Sequence, residues 1–87
     1  MSIPWEKSAH LKFDQMIERV PVFLRPIAQT KVGARAEIFA REAGRGEITE
    51  KDLVDAFFKE TPFGFHGPMK TDMDALGIDY KQYGHPQ

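Results

Sequence analysis

The sequence predicts an all-α fold: a small three-helix domain over residues 1–61, then a Pro/Gly-rich C-terminal arm over residues 62–87 that contains a short fourth helix. Three observations predict this class. Apolar residues recur at steps of three and four, prolines and glycines stand where this pattern stops, and 87 residues suffice for one domain at most. We see no internal repeat in the sequence.

The first helix is predicted over roughly residues 4–19. Pro4 suits a first helical turn, and Pro21 ends the helix because it restricts the residue before it. The apolar stripe of this helix consists of Trp5, Ala9, Phe13, Met16, Ile17 and Val20. The stretch between Pro21 and Pro26 is too short for a full helix. Its apolar residues are predicted to fill the core: Val22, Phe23 and Leu24.

The second helix is predicted over roughly residues 26–43, a length of about 27 Å. Its apolar face consists of Ala28, Val32, Ala36, Phe39, Ala40 and Ala43. A second stripe beside this face consists of Ile27, Ala34 and Ile38. The many alanines allow a neighbouring helix to approach closely. Gly44 follows the last periodic residue, where a left-handed backbone conformation favours glycine.

The third helix is predicted over roughly residues 50–60. Thr49 caps it and Asp52 reaches back to the cap, while Ile48 and Leu53 form a hydrophobic staple. In the arm, Thr71 and Asp74 repeat the cap spacing and predict a helical turn at about 72–76, before Gly77. The core is predicted to contain Trp5, Phe13, Ile17, Leu24, Val32, Phe39, Ile48, Leu53 and Phe57.

The composition excludes several classes of function. The chain has no cysteine, which removes disulfides, thiolate catalysis and iron–sulfur clusters and fits a reducing compartment. No apolar run reaches the roughly 18–20 residues that span a bilayer, and the first ten residues lack the apolar stretch of a signal peptide. We therefore expect a cytoplasmic protein with no membrane partner.

Catalytic and metal-binding patterns are also missing from the sequence. None of the three histidines lies in a metal-binding motif such as HExxH, so no metal site is predicted. Ser2 and Ser8 are the only serines, and neither lies in a nucleophile motif. We expect no catalytic residue and no cofactor, and hence no enzymatic activity of this chain on its own.

Two segments suggest binding instead. Residues 24–45 carry five basic and two acidic side chains, and a ridge of Lys31, Arg35, Arg41 and Arg45 could bind phosphate. An ion-paired, solvated helix face explains the same residues, so nucleic acid is the less favoured partner. In the arm, the unusual residues are Phe63, Phe65, His66 and Met69. They could stack on a flat ligand, although packing over the core is favoured.

A family resemblance rests on residues scattered over positions 5–58. They are Trp5 and Ala9; Val20, Pro21, Phe23 and Arg25; Lys31, Val32 and Glu37; Phe39, Ala40, Arg41, Glu42 and Gly44; and Ile48, Thr49 and Leu53. This pattern resembles the PCP_red domain, the small C-terminal domain of one subunit of light-independent protochlorophyllide reductase, here as a stand-alone protein. Residues 26–29 look like an added helical turn relative to that family.

The resemblance implies an accessory helical module that interacts with another protein. The parent enzyme reduces protochlorophyllide through iron–sulfur clusters of nitrogenase-like subunits, whose ligands lie in a large domain that this chain lacks. The implied partner is a component of a nitrogenase-like or tetrapyrrole reductase, or another protein, and the arm is the expected contact. The alternatives are a tetrapyrrole-binding protein and a nucleic-acid-binding helical domain that uses the basic face of the second helix.

Overall fold

The all-α prediction is confirmed. The computed structural model describes residues 3–86, and this part of the chain contains four α-helices and three short 3₁₀ helices. The α-helices are α1 (Lys7–Glu18), α2 (Arg25–Glu42), α3 (Glu50–Glu60) and α4 (His66–Ala75). The 3₁₀ helices are Val22–Leu24, Phe63–Phe65 and Tyr80–Tyr83.

Helix α3 lies at the centre of the fold. It packs most extensively against α2, and it also contacts α1 and the 3₁₀ helix near the C-terminus. The core cluster consists of Phe13, Met16, Ile17, Val32, Ala36, Ala40, Ile48, Leu53, Val54, Ala56, Phe57, Met69, Met73, Ile78 and Tyr80. These residues come from every α-helix, so the apolar faces of all four share one interior.

The first helix begins later than predicted. Residues 4–6 are extended, and α1 begins at Lys7. The amide of Glu6 donates to the carbonyl of Ile48 over 2.8 Å, and the amide of Ile48 donates to the carbonyl of Pro4 over 2.9 Å. This parallel bridge occupies the carbonyl of Pro4, which a helix from residue 4 would use for an intrahelical bond, so the tertiary pairing overrides the helical start signal at Pro4.

The end of α2 and the start of α3 follow the prediction. Gly44 has a φ of +73°, and the amide of Arg45 donates to the carbonyl of Ala40 over 3.0 Å, which closes the end of α2. The capping box of α3 is present, and the amide of Thr49 donates to Oδ2 of Asp52 over 2.9 Å. Asp52 is buried and also pairs with Arg45.

The prediction for the proline turn at residues 22–24 is wrong. Val22 is 70% exposed, Phe23 is 79% exposed and Leu24 is 40% exposed. This 3₁₀ helix packs against α2, which follows it directly, and its side chains are not part of the core cluster. Of the other predicted core residues, Trp5 and Phe39 are half-buried and pack against the core cluster.

The arm is more regular than predicted. Helix α4 begins at His66 rather than near residue 72, and a 3₁₀ helix follows it at Tyr80–Tyr83. Met69 and Met73 on α4 are buried, as are Ile78 and Tyr80 after it. The glycines and prolines that suggested irregular structure lie instead in the 3₁₀ helices and at helix ends, where the backbone tolerates them.

The backbone arrangement of the chain is repeated, although the sequence is not. The first unit is defined as residues 7–44 and the second unit as residues 48–77. Each runs through a helix, a proline followed by a 3₁₀ helix, a second helix and a glycine at positive φ. A shift of 41 positions aligns Pro21 with Pro62 and Leu24 with Phe65. Only two of the thirteen residues in 20–32 match those in 61–73, which hides the repeat from sequence inspection.

The two proline turns, residues 20–25 and residues 61–66, each contain the same type of hydrogen bond. Nε of Arg25 donates to the carbonyl of Val20 over 2.9 Å, and Nε2 of His66 lies 2.9 Å from the carbonyl of Thr61. In both turns a side chain therefore binds the carbonyl five residues earlier. These bonds satisfy backbone groups that the turn leaves outside any helix.

Candidate functional site

The two proline turns form the walls of an open groove of about 550 Å³. We call it the apolar groove. Nine apolar residues line it: Val20, Pro21, Leu24, Ile27, Ala28, Val32, Phe57, Pro62 and Phe65. Its polar lining consists of Lys31, Glu60 and Thr61. The floor belongs to the core, whereas the walls are turn residues with large exposed side chains, so the groove is open to a ligand or partner.

Exposed apolar side chains surround this groove. Phe65 is 65% exposed on one wall and Ile27 is 54% exposed at the start of α2. Phe63, in the same 3₁₀ helix as Phe65, is 88% exposed. Val22 and Phe23, which precede Leu24 in the other 3₁₀ helix, are also exposed. Scattered exposed apolar residues are ordinary, but a contiguous group on one side of a small domain marks an interaction surface.

The acidic side chain at the groove has an ion-pair partner, whereas the basic side chain has none within residues 3–86. Nε of Arg35 donates to Oε2 of Glu60 over 2.9 Å, so this carboxylate is neutralised by its neighbour on α2. Lys31 makes no hydrogen bond or ion pair with any residue that the structure describes. The rim of the groove therefore carries a net positive charge, which favours a ligand that combines an apolar body with an acidic group.

The four arm residues predicted to stack on a flat ligand lie in different environments. Phe65 lines the groove, whereas Phe63 is 88% exposed and is not part of the lining. His66 is held by its bond to Thr61 and contacts the ring of Phe58 edge-on, with 5.1 Å between ring centroids. Met69 is buried in the core. The structure therefore brings one of the four, Phe65, to the groove.

The predicted basic ridge is mostly ion-paired. Arg35 pairs with Glu60, and Nε of Arg41 donates to Glu37 over 3.1 Å. Arg45 pairs with the buried Asp52, and its own Nε is buried without a hydrogen bond among the described residues. Nucleic-acid binding by this ridge stays a prediction, and Lys31 is the member of the ridge that lies at the groove.

The described part of the chain contains neither a metal-binding cluster nor a membrane-spanning helix. Within residues 3–86, no group of three or more His, Cys, Asp or Glu side chains is placed to hold a metal ion. No helix in this range is long and apolar enough to cross a membrane. Comparison of the chain with known protein families, curated proteins and solved structures finds no match.

The wall formed by the first proline turn is the part of the groove that the sequence does not predict. Val22, Phe23 and Leu24 are apolar, which favours the core, and Ile27 falls in a secondary stripe of the second helix. One sequence feature could have revealed this wall: these residues lie next to prolines, in a stretch too short to form a full helix. Such a turn has few neighbours, so apolar residues in it are candidates for an exposed surface.

Proposed function

We propose that the chain is a non-catalytic interaction module that binds an apolar segment of a protein partner in the apolar groove. The observation that carries this proposal is the pair of proline turns that hold Leu24 and Phe65 on opposite sides of one apolar floor. Local hydrogen bonds within each turn keep the walls in place before binding, which lowers the entropic cost of association.

The resemblance to the PCP_red domain suggests the kind of partner. A component of a nitrogenase-like or tetrapyrrole reductase is the first protein to test. The ammonium of Lys31 at the rim favours a partner segment with an acidic residue beside its apolar face. Burial of Phe63 and Phe65 in such a complex would remove large aromatic surfaces from water, the kind of contact that dominates binding energy.

The proposal is tested with two groove variants and one control. Leu24→Glu and Phe65→Glu place a carboxylate on either wall, whereas Leu11→Glu changes an exposed leucine on α1 outside the groove. Partners are recovered from native lysate by the wild-type chain and are then purified for direct titration. Both groove variants should weaken binding at least about tenfold, or about 1.4 kcal/mol, with Leu11→Glu unchanged. Equal affinities for all four chains would contradict the proposal.

Tetrapyrrole binding is the second candidate, and the lone cation beside an apolar groove favours it. A tetrapyrrole combines a flat apolar ring with carboxylates, and the groove offers Phe65 for stacking and Lys31 for the acidic group. Titration with protochlorophyllide or haem should then shift the Soret band. Phe65→Glu and Lys31→Met should reduce the shift while Leu11→Glu should not. A flat titration of the wild-type chain would end this candidate.

A further inference from the structure

The two proline turns carry the most exposed large apolar side chains within residues 3–86. Phe63 is 88% exposed, Phe23 is 79% exposed and Val22 is 70% exposed. We call these three residues the turn tips. Each lies in a three-residue 3₁₀ helix that follows a proline, and none belongs to the lining of the apolar groove. The turn tips are therefore an apolar surface distinct from the groove lining.

The turn tips of both turns lie next to the same groove. Leu24 directly follows Phe23, Phe65 lies two residues after Phe63, and both Leu24 and Phe65 line the groove. The backbone between a turn tip and the nearest lining residue of its turn therefore spans about 7 Å at most. A surface laid across the open groove meets apolar side chains from both turns.

Positive charge is concentrated in the two segments that contain the turn tips. Residues 19–36 carry four basic and no acidic side chains, and residues 59–71 carry two basic and one acidic side chain. The rest of the chain carries six basic and twelve acidic side chains. With histidine neutral, the two segments have a net charge of +5 and the rest has −6. The one acidic residue of these segments, Glu60, is ion-paired with Arg35.

Two lysines beside the turns are available to an anion. Lys31 is exposed at the rim of the groove, and Lys59 is exposed in the last turn of α3, three residues before Pro62. Neither lysine forms an ion pair within residues 3–86. A flexible ammonium group without a partner in its own chain can bind the phosphate or carboxylate of another molecule.

A lipid bilayer with anionic headgroups matches both the apolar tips and the positive charge. Aromatic side chains favour the boundary between headgroups and acyl chains, and binding there strengthens with buried apolar area and with the attraction of Lys and Arg to anionic lipids. A fluid lipid surface accepts separate projecting side chains without pockets shaped to receive them. Nucleic acid would match the cations but would leave Val22 and the aromatic tips in water. Such binding requires no membrane-spanning segment, so the sequence-based expectation of no membrane partner does not address it.

We infer that the chain binds reversibly to an anionic lipid bilayer by inserting the turn tips among the headgroups, with Lys31 and Lys59 beside the lipid phosphates. The inference goes beyond the proposed function, because the turn tips lie outside the groove lining that is proposed to hold a protein partner. In each turn a side chain binds the carbonyl five residues earlier. These bonds hold the tips in place before binding, which lowers the entropic cost of insertion.

Cosedimentation with vesicles measures this binding. Vesicles of phosphatidylcholine and phosphatidylserine, in a ratio of about two to one, should bind the wild-type chain at least about tenfold more tightly than vesicles of phosphatidylcholine alone. Phe23→Ser and Phe63→Ser should each weaken binding to the anionic vesicles at least about fivefold, because each removes an aromatic ring from the lipid boundary. Leu11→Ser, which replaces an exposed leucine of α1, is the control and should leave the binding unchanged. A wild-type chain that ignores the anionic vesicles, or tip variants that bind like the wild type, would overturn the inference.

The two lysines are tested with the same vesicles. Lys31→Gln and Lys59→Gln should each weaken binding about fivefold, and added salt should weaken it further. Lys7→Gln changes an exposed lysine in the acidic part of the chain and should alter binding less than about twofold. Binding that depends on the lysines and on salt but not on the turn tips would indicate a general site for polyanions, nucleic acid included, and would overturn lipid insertion.

Tryptophan fluorescence tests the insertion directly. Trp5 is the only tryptophan of the chain, so Trp5→Phe gives a background without one. In this background Phe23→Trp and Phe63→Trp should emit at shorter wavelength on anionic vesicles and be quenched by brominated acyl chains, whereas Leu11→Trp should do neither. Unchanged emission from both tips, with cosedimentation retained, would show adsorption through charge alone and overturn the inference. A purified protein partner should still bind Phe23→Ser, which leaves the groove lining intact, so the two proposals succeed or fail separately.

Discussion

The two units of the chain have the same turn but different helices. Both turns place a proline before a 3₁₀ helix, and both bind a side-chain nitrogen to the carbonyl five residues earlier. Helix α2 of the first unit has 18 residues and an uncovered outer side, whereas α4 of the second unit has ten. The same proline and the same local bond therefore precede two helices that differ in length and in outer surface.

The units also begin differently. Helix α3 has a full capping box built on the buried Asp52, whereas the first helix has no side-chain cap at Glu6. The shift of 41 that relates the two units places Leu11 at the position of Asp52 and Ala9 at the position of Glu50. The second unit therefore has the charged helix cap, and the first unit has the exposed apolar surface of α2. Variants at corresponding positions of the two units test this contrast.

The largest effect is expected in the interior, where Val32 of the first unit corresponds to Met73 of the second. Both side chains are buried, so Met73→Ala should lower the free energy of unfolding by about 2–5 kcal/mol through the cavity that it leaves. Val32→Ala removes less volume and should cost at least about 1.5 kcal/mol. Urea denaturation measures both. An early, separate transition of the arm, with the main transition unchanged, would contradict a shared core.

The second-largest change in stability is expected at the N-terminal caps of the helices. Asp52→Asn keeps an acceptor for the amide of Thr49 but removes the charge that pairs with Arg45, so we expect a loss of about 1.5–3 kcal/mol. The matched control is Leu11→Asn, at the corresponding exposed position, which should change stability by less than about 0.5 kcal/mol. Thermal denaturation that gave both variants the same midpoint would show that the charged cap contributes nothing.

A smaller effect is expected in the turns. Arg25 donates to the carbonyls of Val20 and Glu18, the latter over 2.8 Å, so Arg25→Met should cost about 1–2 kcal/mol. His66→Phe removes one bond and keeps the aromatic contact with Phe58, so about 1 kcal/mol is expected. Chemical denaturation tests the order of the two. A larger loss in His66→Phe would show that packing, and not the shared bond, holds the second turn.

The smallest effect is a pH dependence at Glu50, where α3 of the second unit contacts Lys12 of the first unit and Tyr83 near the C-terminus. Partial burial raises the pKa of Glu50, but hydrogen bonds from Lys12 and Tyr83 and the charge of Lys12 together lower it below 4.5. The resulting stability is present above pH 4.5 and is lost as the pH falls through the lowered pKa. Glu50→Gln should flatten this part of the acid limb of a stability–pH curve.

Tyr83 is the control for this cluster because its shift has the opposite sign. Burial raises its pKa above 10, and the hydrogen bond to Glu50 over 2.6 Å and the charge of that carboxylate raise it further. Its contribution is present below pH 10 and is lost as the pH rises through the raised pKa. Tyr83→Phe should alter the alkaline limb. If Tyr83→Phe changed the stability at acid pH as much as Glu50→Gln does, the whole effect would come from the hydrogen bond between Tyr83 and Glu50.

Local signals explain the successes of the sequence-based predictions. Helix α3 has the predicted bounds because its cap, staple and closing proline act within a few residues of one another. The end of α2 was predictable for the same reason, since Gly44 alone supplies the left-handed conformation. In the candidate site, Phe65 was predictable as one of an unusual pair of aromatic residues between glycine and proline, while Leu24 on the opposite wall was not.

The sequence by itself determined the fold class, the bounds of α3 and the start and end signals around residues 44–53, because these depend on neighbours in the chain. Only the tertiary structure decided that residues 4–6 pair with Ile48, that α4 closes the core, and that the two proline turns face one another across a groove. Those outcomes depend on which surfaces remain exposed after α3 has packed at the centre of the fold. The spacing of residues along the chain does not show which residues will lie opposite one another in the structure.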